Sequence, residues 1–490
     1  MSSLDLVVIV VYLVSTLGLG LWLARGQRSS SDYFLGARDL PAWSVLLSIV
    51  ATETSALTVI SIPGIGARGD LTFLQLTFGY CIGRLVVAAW LLPGYFTGQQ
   101  ETAYQRLESR FGSGTRRLVS ATFLVTRFLA DGVRIFAGAI PLALVTGWPV
   151  STAIIVMGLV TLIYTWMGGL KAVIWADVIQ LIVYVAGGIV ALWLAWRIGG
   201  GADRALGIAA EAGKLRIINA TVNFTSTYTL LGGLVGGAML SAASHGTDQL
   251  IVQRLLATRS LRDARIALAG SGVVIVFQFL LFLLVGSAIW AAGLAPTGMA
   301  PDDIFPRFIV EQMPAGLRGL VIAGILAAAM STISSSINAL ASSVTYDFYA
   351  GASGKTDPAH LFRVGRIVTV AWGLGLTAAA LGFIAMTTRM NTPVVVLALS
   401  IASITYGALL GTYLLAGRWP RANGRDVVIA TLVTMAAMLV VVFARPLAQS
   451  GVTWLEPVGR LAWPWYVPLG TALAFLVGVA SSLTRGGEHA

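Results

Sequence analysis

The chain has 490 residues, 57% of them hydrophobic and only 11% charged, and its mean hydropathy is +0.84. Soluble domains carry roughly 25% charge, so this composition excludes a water-soluble protein and places the chain in a bilayer. The net charge of +11 is spread over loops rather than gathered on one soluble face, which argues against a nucleic-acid partner.

Repeated apolar segments of helical length exclude a β-barrel and leave an all-α polytopic membrane protein with about 13 transmembrane helices. In chain order the expected spans are 4–24, 43–66, 71–97, 117–146, 149–168, 172–197, 227–252, 264–292, 317–346, 364–387, 393–416, 427–444 and 464–484. With the N-terminus outside and the C-terminus cytoplasmic, the cytoplasmic loops hold the larger share of the 32 Lys and Arg, as the positive-inside rule requires. The external segment with Arg197, Arg204, Lys214 and Arg216 runs against that rule. The expected location is the plasma (inner) membrane. The leading segment has no basic n-region and a longer apolar run than a signal, so it is expected to stay as a span. Cys81 is the one cysteine, and His245, His360 and His489 are too scattered for a metal set.

The first span after the leader contains IVATETSALTVISIPGIG, residues 49–66. Thr52, Glu53, Thr54, Ser55 and Thr58 give it a polar density that lipid cannot solvate, so they must face protein or a wet cavity. Pro63 removes a helical donor and leaves the Val59 carbonyl free, which predicts local irregularity there. Nothing in the residues places a break as early as Ala51. An ionised Glu53 near the bilayer centre costs at least about 2.5 kcal/mol; it reads either as an ion pair with an intramembrane Arg or as a coupling-ion or gate carboxylate.

The next span carries Gln75, Tyr80 and Arg84. In residues 126–139, TRFLADGVRIFAGA, Asp131 lies at i+4 from Arg127 and i−3 from Arg134, so all three share a helix face and can pair. Either the network is compensated, with Glu53 absorbing the second cation, or Arg134, beside Gly132, Ala137 and Gly138, offers its donor fork to a substrate carboxylate. Asp177 enters the span after next as a structural partner or an ion ligand. Residues 230–249, LLGGLVGGAMLSAASHGTDQ, hold the overlapping pairs Gly232/Gly236 and Gly233/Gly237, which read as close helix packing, with a hinge or unwound cavity wall as the alternative.

Residues 327–349, AAAMSTISSSINALASSVTYDFY, are long enough to cross a bilayer yet studded with hydroxyls. At about 100° per residue, Ser331, Ser334, Ser335, Asn338 and Ser342 form one stripe with Thr332 on its shoulder. Any single serine reads as a helix contact bonded to its own backbone. The i, i+3, i+4 spacing of Ser331, Ser334 and Ser335 can instead turn three oxygens to one point, and hard cations prefer oxygen ligands.

SDYFLGARDLP (31–41), TAYQRLESRFG (102–112), GGLKAVIWADVIQ (168–180), GTDQLIVQRLLA (246–257) and the hydroxyl-rich stretch occur in this order. On these motifs the chain resembles the sodium:solute symporter family, which includes sodium-coupled sugar, proline, monocarboxylate, vitamin and sialic acid transporters. The resemblance implies a five-plus-five inverted-repeat (LeuT-type) core. Residues 1–42 would be a leading helix and cytoplasmic link, 43–198 the first repeat, 199–416 an external loop and the second repeat, and 417–490 two closing helices. The first core span and the 227–252 span would be the paired discontinuous helices.

The resemblance also implies a transporter rather than an enzyme, importing a small organic solute with sodium by alternating access. The main sodium site would use the carbonyls of Ala51, Thr54 and Ala328 and the hydroxyls of Ser331 and Thr332. A second sodium site would use Asp177, Ser334 and Ser335 and share Ser331. The substrate pocket would draw on Ser55, Thr58, Gln75, Arg134 and Ser241, with Glu53, Arg127 and Asp131 as coupling or gate candidates. Ser241 stands where a sugar-binding relative would have Asn, and Arg127 and Arg134 favour a carboxylate or other anionic solute. The expected partners are the solute, sodium and the lipid bilayer, with no obligate protein partner evident. Two alternatives stay open: a proton-coupled carrier with Glu53 or Asp177 titrating, and a transporter-like membrane sensor, for which no signalling module follows residue 484.

Overall fold

A computed structural model describes residues 2–25, 27–98, 100–387 and 394–484. The gap at 388–393 takes in the first residue of the expected 393–416 span, and the tail 485–490 holds His489; both lie outside the described residues. Among the described residues the chain is helical, with one isolated bridge between Leu40 and Thr258 and no strand. The helices that build the candidate site and its surroundings are α1 (Ser3–Leu23), α2 (Ala42–Glu53), α3 (Ala56–Arg68), α4 (Leu74–Val86, continued in wider turns to Tyr95), α5 (Ser113–Thr146), α6 (Val150–Ile198) and α7 (Gly237–Gly246). They are followed by α8 (Gln249–Leu256), α9 (Leu261–Ala291), α10 (Leu317–Ser343), α11 (Pro358–Thr387), α12 (Val394–Arg418), α13 (Gly424–Gln449) and α14 (Tyr466–Thr484).

Among the described residues eight helices are long and apolar enough to cross a bilayer, or nine if the bent pair α2 and α3 counts as one span. That count is of the described residues and does not reproduce the thirteen expected spans one for one. The 49-residue α6 covers two expected spans, because Gly169 (φ 54°, ψ −154°) turns the chain inside it. The helix after residue 230 is interrupted at Thr247 before it reaches full length.

α10 is the central helix: 94% of its apolar window is buried, against 22% for α1. It packs on α6, α5 and α1. α1 shows how a peripheral helix is tied to this centre. Asp5, Ile9, Tyr12, Thr16 and Gly20 form its buried stripe, while Leu4, Leu6, Val7, Val10, Val11 and Val14 point outward, as a lipid-facing surface requires. The Asp5 carboxylate accepts from Arg318 Nε (2.9 Å) and Nη2 (2.7 Å) and from the Gly316 and Gly319 amides (2.9 Å each). It thereby satisfies amides at the start of α10 that have no helical acceptor.

The bend in the first core span is not at Pro63, which lies inside the continuous α3. It is nine residues earlier, where Thr54 (φ −87°, ψ 105°) and Ser55 (φ −92°, ψ 167°) are extended and the axis turns by 68°. A second break falls at Thr247 and Asp248, between α7 and α8. The glycines before it do pack closely. A Cβ on Gly79 would strike the Gly233 carbonyl, and one on Gly83 the Ala238 carbonyl, so α4 lies backbone to backbone on residues 233–238.

Two cations of the 197–216 segment have local work. Lys214 Nζ donates to the carbonyls of Ala67 (2.7 Å) and Gly69 (2.9 Å) at the end of α3 and lies 4.4 Å from the Trp290 ring centre. Arg216 pairs with Asp70 at 2.8 Å.

Candidate functional site

The break in the first core span creates acceptors. The Thr54 amide makes the last helical bond of α2, to the Val50 carbonyl at 3.1 Å, and α3 starts with Val59 donating to Ser55. The carbonyls of Ala51, Thr52, Glu53 and Thr54 therefore lie between two helices with no helical donor. Thr54 is held in place by its side chain: Oγ1 donates to Val50 O (2.9 Å) and accepts from Gln278 Nε2 (2.6 Å), whose Oε1 accepts from Tyr184 (3.1 Å).

α10 is held against this break from both sides. Thr52 Oγ1 lies 3.2 Å from Ser335 Oγ. Gly138 of α5 separates Ala56 from Ala329 so closely that its missing Cβ would lie 3.1 Å from one and 3.8 Å from the other. Between these contacts Thr332 Oγ1 donates to the Ala328 carbonyl at 3.3 Å, and Ser331 Oγ donates to Asp177 Oδ1 at 2.6 Å. Ala51, Thr54, Ala328 and Ser331 are fully buried, and Thr332 nearly so. A set of neutral carbonyl and hydroxyl oxygens at a helix break suits a hard monovalent cation that must also leave.

Of the residues expected around a second cation, the structure joins Asp177, Ser331 and Ser335 but turns Ser334 back to the Ser331 carbonyl at 3.1 Å. It adds three that the sequence reading did not select. Asp177 Oδ2 accepts from Ser48 Oγ (2.5 Å), Thr52 Oγ1 (3.3 Å) and Arg254 Nη2 (3.1 Å). Arg254 is fully buried on α8, inside the GTDQLIVQRLLA motif. An arginine in an apolar octet flanked by Gln249 and Gln253 was the available signal.

The rest of the hydroxyl stripe on α10 binds α8. Gln249 Nε2 donates to Ser342 Oγ (3.3 Å), Gln253 Nε2 to Asn338 Oδ1 (2.8 Å), and Arg254 Nη2 to Ser335 Oγ. Numbers rise on one helix as they fall on the other, so this is an antiparallel polar seam.

The intramembrane arginines are compensated, with Glu53 in an ion pair and Asp131 between Arg127 and Arg134 as the spacing predicts, but the partner of Glu53 differs from the one expected within the α5 network. Glu53 does not absorb the second cation of the α5 network; it pairs with Arg84, which also donates to Ser271 Oγ at 2.7 Å. His245 Nε2 lies 3.7 Å from the same Glu53 carboxylate. Arg127 is taken by Asp248, through Nε at 3.1 Å and Nη2 at 2.5 Å, with Tyr406 OH donating to the same oxygen at 3.0 Å. The sequence reading passed over Asp248 because it stands 121 positions away, as the cap of α8. Asp131 then serves Arg134 (3.1 Å), Arg127 at longer range (3.5 Å) and Ser336 (2.5 Å). Among the described residues Arg134 makes this one side-chain hydrogen bond and is 23% exposed, against 7% for Arg127.

The expected substrate residues divide. Ser55 and Thr58 face each other at 3.4 Å and are partly exposed, and Ser241 lies 3.5 Å from His245 Nδ1. Gln75 is fully buried and engaged, donating to Thr72 O (3.1 Å) and Tyr228 O (3.4 Å) and accepting from the Asn219 amide (2.9 Å). It anchors the 219–228 loop. A cavity of about 600 Å³ lies against the end of α5, lined by Leu144, Pro296, Met299, Asp303 and Glu311 among others, and none of the expected pocket residues lines it.

The sequence matches the profile of the sodium:solute symporter family over residues 33–434. It is 30% identical to the human sodium/iodide cotransporter over 84% of this chain, which spans 65% of that longer protein. It is 27% identical to the sodium/sialic acid symporter of Proteus mirabilis over 87% of each chain. The solved structure of a Na+-coupled sialic acid symporter, in a substrate-bound outward-open state with a novel Na+ site, matches 99% of this chain and 98% of that one. Its TM-score is 0.85 at 25% identity.

Proposed function

The chain belongs to the sodium:solute symporter family, and from that premise we propose that it imports a small organic anion, a carboxylate by preference, together with sodium by alternating access. The single observation that carries the anion preference is the unequal compensation of the α5 arginines. Arg127 is closed off by Asp248 and Tyr406, whereas among the described residues Arg134 has one carboxylate partner and nitrogens left over. A guanidinium fork with free donors recognises a planar carboxylate in two parallel bonds. The iodide and sialic acid carried by the relatives' names are both anions, in line with this reading.

Sodium is cargo in this scheme. It binds between the free carbonyls of Ala51 and Thr54 and the Ala328, Ser331 and Thr332 oxygens, and so ties the broken span to α10. Ser55 and Thr58, on the far side of the same break, meet the solute with Arg134 and Ser241. Sodium that steadies the break raises solute affinity, and linkage requires the solute to raise sodium affinity equally. Each charge moving inward with the field gains about 2.3 kcal/mol per 100 mV. The frame is the thirteen-span arrangement with an external N-terminus, in which 43–198 and 199–416 are inverted repeats that rock about the two breaks.

The test is uptake into proteoliposomes. Replacing Ser331 and Thr332 together by Ala abolishes sodium-stimulated uptake while the chain stays monodisperse; unchanged sodium dependence sinks the site. Uptake driven by a pH gradient in sodium-free buffer would favour the proton-coupled alternative instead.

A further inference from the structure

At the end of the bundle where α1 runs into the core, cations from three segments gather without an ion-pair partner. Arg25 and Arg28 stand on the link that follows α1, Lys171 at the bend of α6, and Arg363 and Arg366 one turn apart in the first turns of α11. The three segments are packed on one another. Gln27 Nε2 donates to the Gly168 carbonyl at 2.6 Å, Tyr33 OH donates to the Trp166 carbonyl at 3.2 Å and lies 3.1 Å from Thr369 Oγ1, and a Cβ on Gly36 would lie 4.0 Å from Lys171 Cβ. Arg25, Arg28, Lys171 and Arg363 are exposed. Arg366 lays its guanidinium 4.1 Å from the centre of the Trp166 ring, where its Nε is buried with no acceptor. Among the described residues none of these five cations makes an ion pair. Asp32, the carboxylate nearest in sequence to Arg28, is spent on the amides of Arg28 and Ser29 at 3.0 Å each. Other arginines at this end have protein acceptors: Arg38 the Gln100 carbonyl, Arg106 the Leu91 carbonyl, Arg116 both Asp347 and Glu108, and Arg259 Asp39.

Like charges held together repel, and an anion placed among them relieves that cost. The surface beside the cluster is apolar and faces lipid. Ile367, next to Arg366, is 70% exposed, Trp22, one turn before Arg25, is 64% exposed, and Ile163 of α6 lies open between them in the fold. Exposed tryptophan at the end of a span marks the level of the lipid headgroups, so the anion that reaches these cations is one already anchored in the bilayer. Guanidinium forks take two phosphate oxygens at once, and an ammonium adds a point charge. We propose that the cluster binds the headgroup of an anionic phospholipid, its phosphate among Arg28, Lys171, Arg363 and Arg366 and its acyl chains along the apolar surface of Trp22, Ile163 and Ile367. A headgroup held there ties the end of α1 and the start of α11 to the bend at Gly169, where α6 changes direction. The site shares no residue with the proposed sodium and solute sites, so its test does not depend on them.

The experiment measures equilibrium binding of tritiated dioleoylphosphatidylglycerol to the full purified chain in detergent, with dioleoylphosphatidylcholine as the neutral comparison. The wild type binds the anionic lipid saturably and the neutral one far more weakly. Arg363→Gln with Arg366→Gln weakens binding by about 25-fold, about fivefold for each cation at about 1 kcal/mol apiece. Arg262→Gln with Arg425→Gln removes the same charge from exposed positions at the starts of α9 and α13 and changes binding less than about twofold. Equal weakening by the two double variants means diffuse attraction and overturns the site, as does equal binding of the two lipids. Inorganic phosphate in large excess leaves the lipid bound; displacement by it assigns the cations to free phosphate and overturns the lipid. Should Arg366→Gln, which loses the Trp166 contact, fail to fold, Lys171→Gln with Arg363→Gln takes its place, since both side chains are exposed, and is judged by the same outcomes.

Discussion

Asp248→Asn isolates one buried charge with little change in shape. Asp248 Oδ1 caps α8 by accepting from the Leu250 amide at 2.9 Å, and Oδ2 receives Arg127 and Tyr406. Asparagine is as good a cap as aspartate, so the helix start survives and only the charge is lost. Breaking a buried pair by removing one partner costs about 3–5 kcal/mol, because the other charge is left behind. Here Arg127 still has Asp131 at 3.5 Å, which places the expected loss at the low end, about 3 kcal/mol. Adding Arg127→Gln removes the stranded charge, so the double variant is more stable than Asp248→Asn alone, with a coupling energy of about 2 kcal/mol. Reversible unfolding in detergent, followed by tryptophan fluorescence, measures the cycle. The reasoning is refuted if Asp248→Asn lies within about 0.5 kcal/mol of the wild type, or if the second substitution brings no recovery. In Asp248→Asn, Arg127 is also expected to draw on Asp131 and loosen Arg134, changing the KM for anionic solutes more than the maximal rate.

Arg134→Gln should lower affinity for carboxylates by about tenfold or more, the loss of a charge-assisted bond, with sodium binding alone unchanged; equal loss for neutral analogues would contradict the anion reading. Gly79→Val drives a side chain into the Gly233 carbonyl and should abolish the monodisperse peak in size-exclusion chromatography. Gly18→Val, where an added Cβ meets nothing within 4 Å, should leave that peak intact. Asp70, in the turn after α3, is partly buried, which raises its pKa, but bonds from Thr72 and the charge of Arg216 outweigh this and hold it below the ordinary 3.8. A depressed carboxylate stabilises fully above its unfolded pKa and loses that contribution as pH falls through the folded value. The contact between residues 69–72 and 214–216 should therefore become protease-sensitive on acidification below about pH 4, and Asp70→Asn should be sensitive already at neutral pH.

The sequence carried the parts of this site whose cause is local. The hydroxyl stripe on α10 and the Asp131 triad depend on helical spacing, whereas the polar run around Thr52 was legible only as polar density and straddles the break. What could not be read were partners chosen by tertiary proximity. Asp248, Arg254 and Gln278 supply the missing counter-charges and braces from 77 to 224 positions away. The break at Thr54 was equally silent, since Pro63 is the residue that advertises irregularity and α3 runs through it. Asn338 and Ser342 share the stripe by spacing but have no role there that the sequence assigns; their glutamine partners on α8 account for them.

Ser331 has one proton, and it is directed at Asp177. A hydroxyl so committed can offer only lone pairs to anything on its other side, and a bare cation there would meet an oxygen made more electron-rich by the carboxylate behind it. The proposed main sodium site would thereby be strengthened by a residue that need not touch the ion. Asp177→Asn would weaken that effect, and sodium affinity at the main site should fall in that variant even though all five of its proposed ligands are intact.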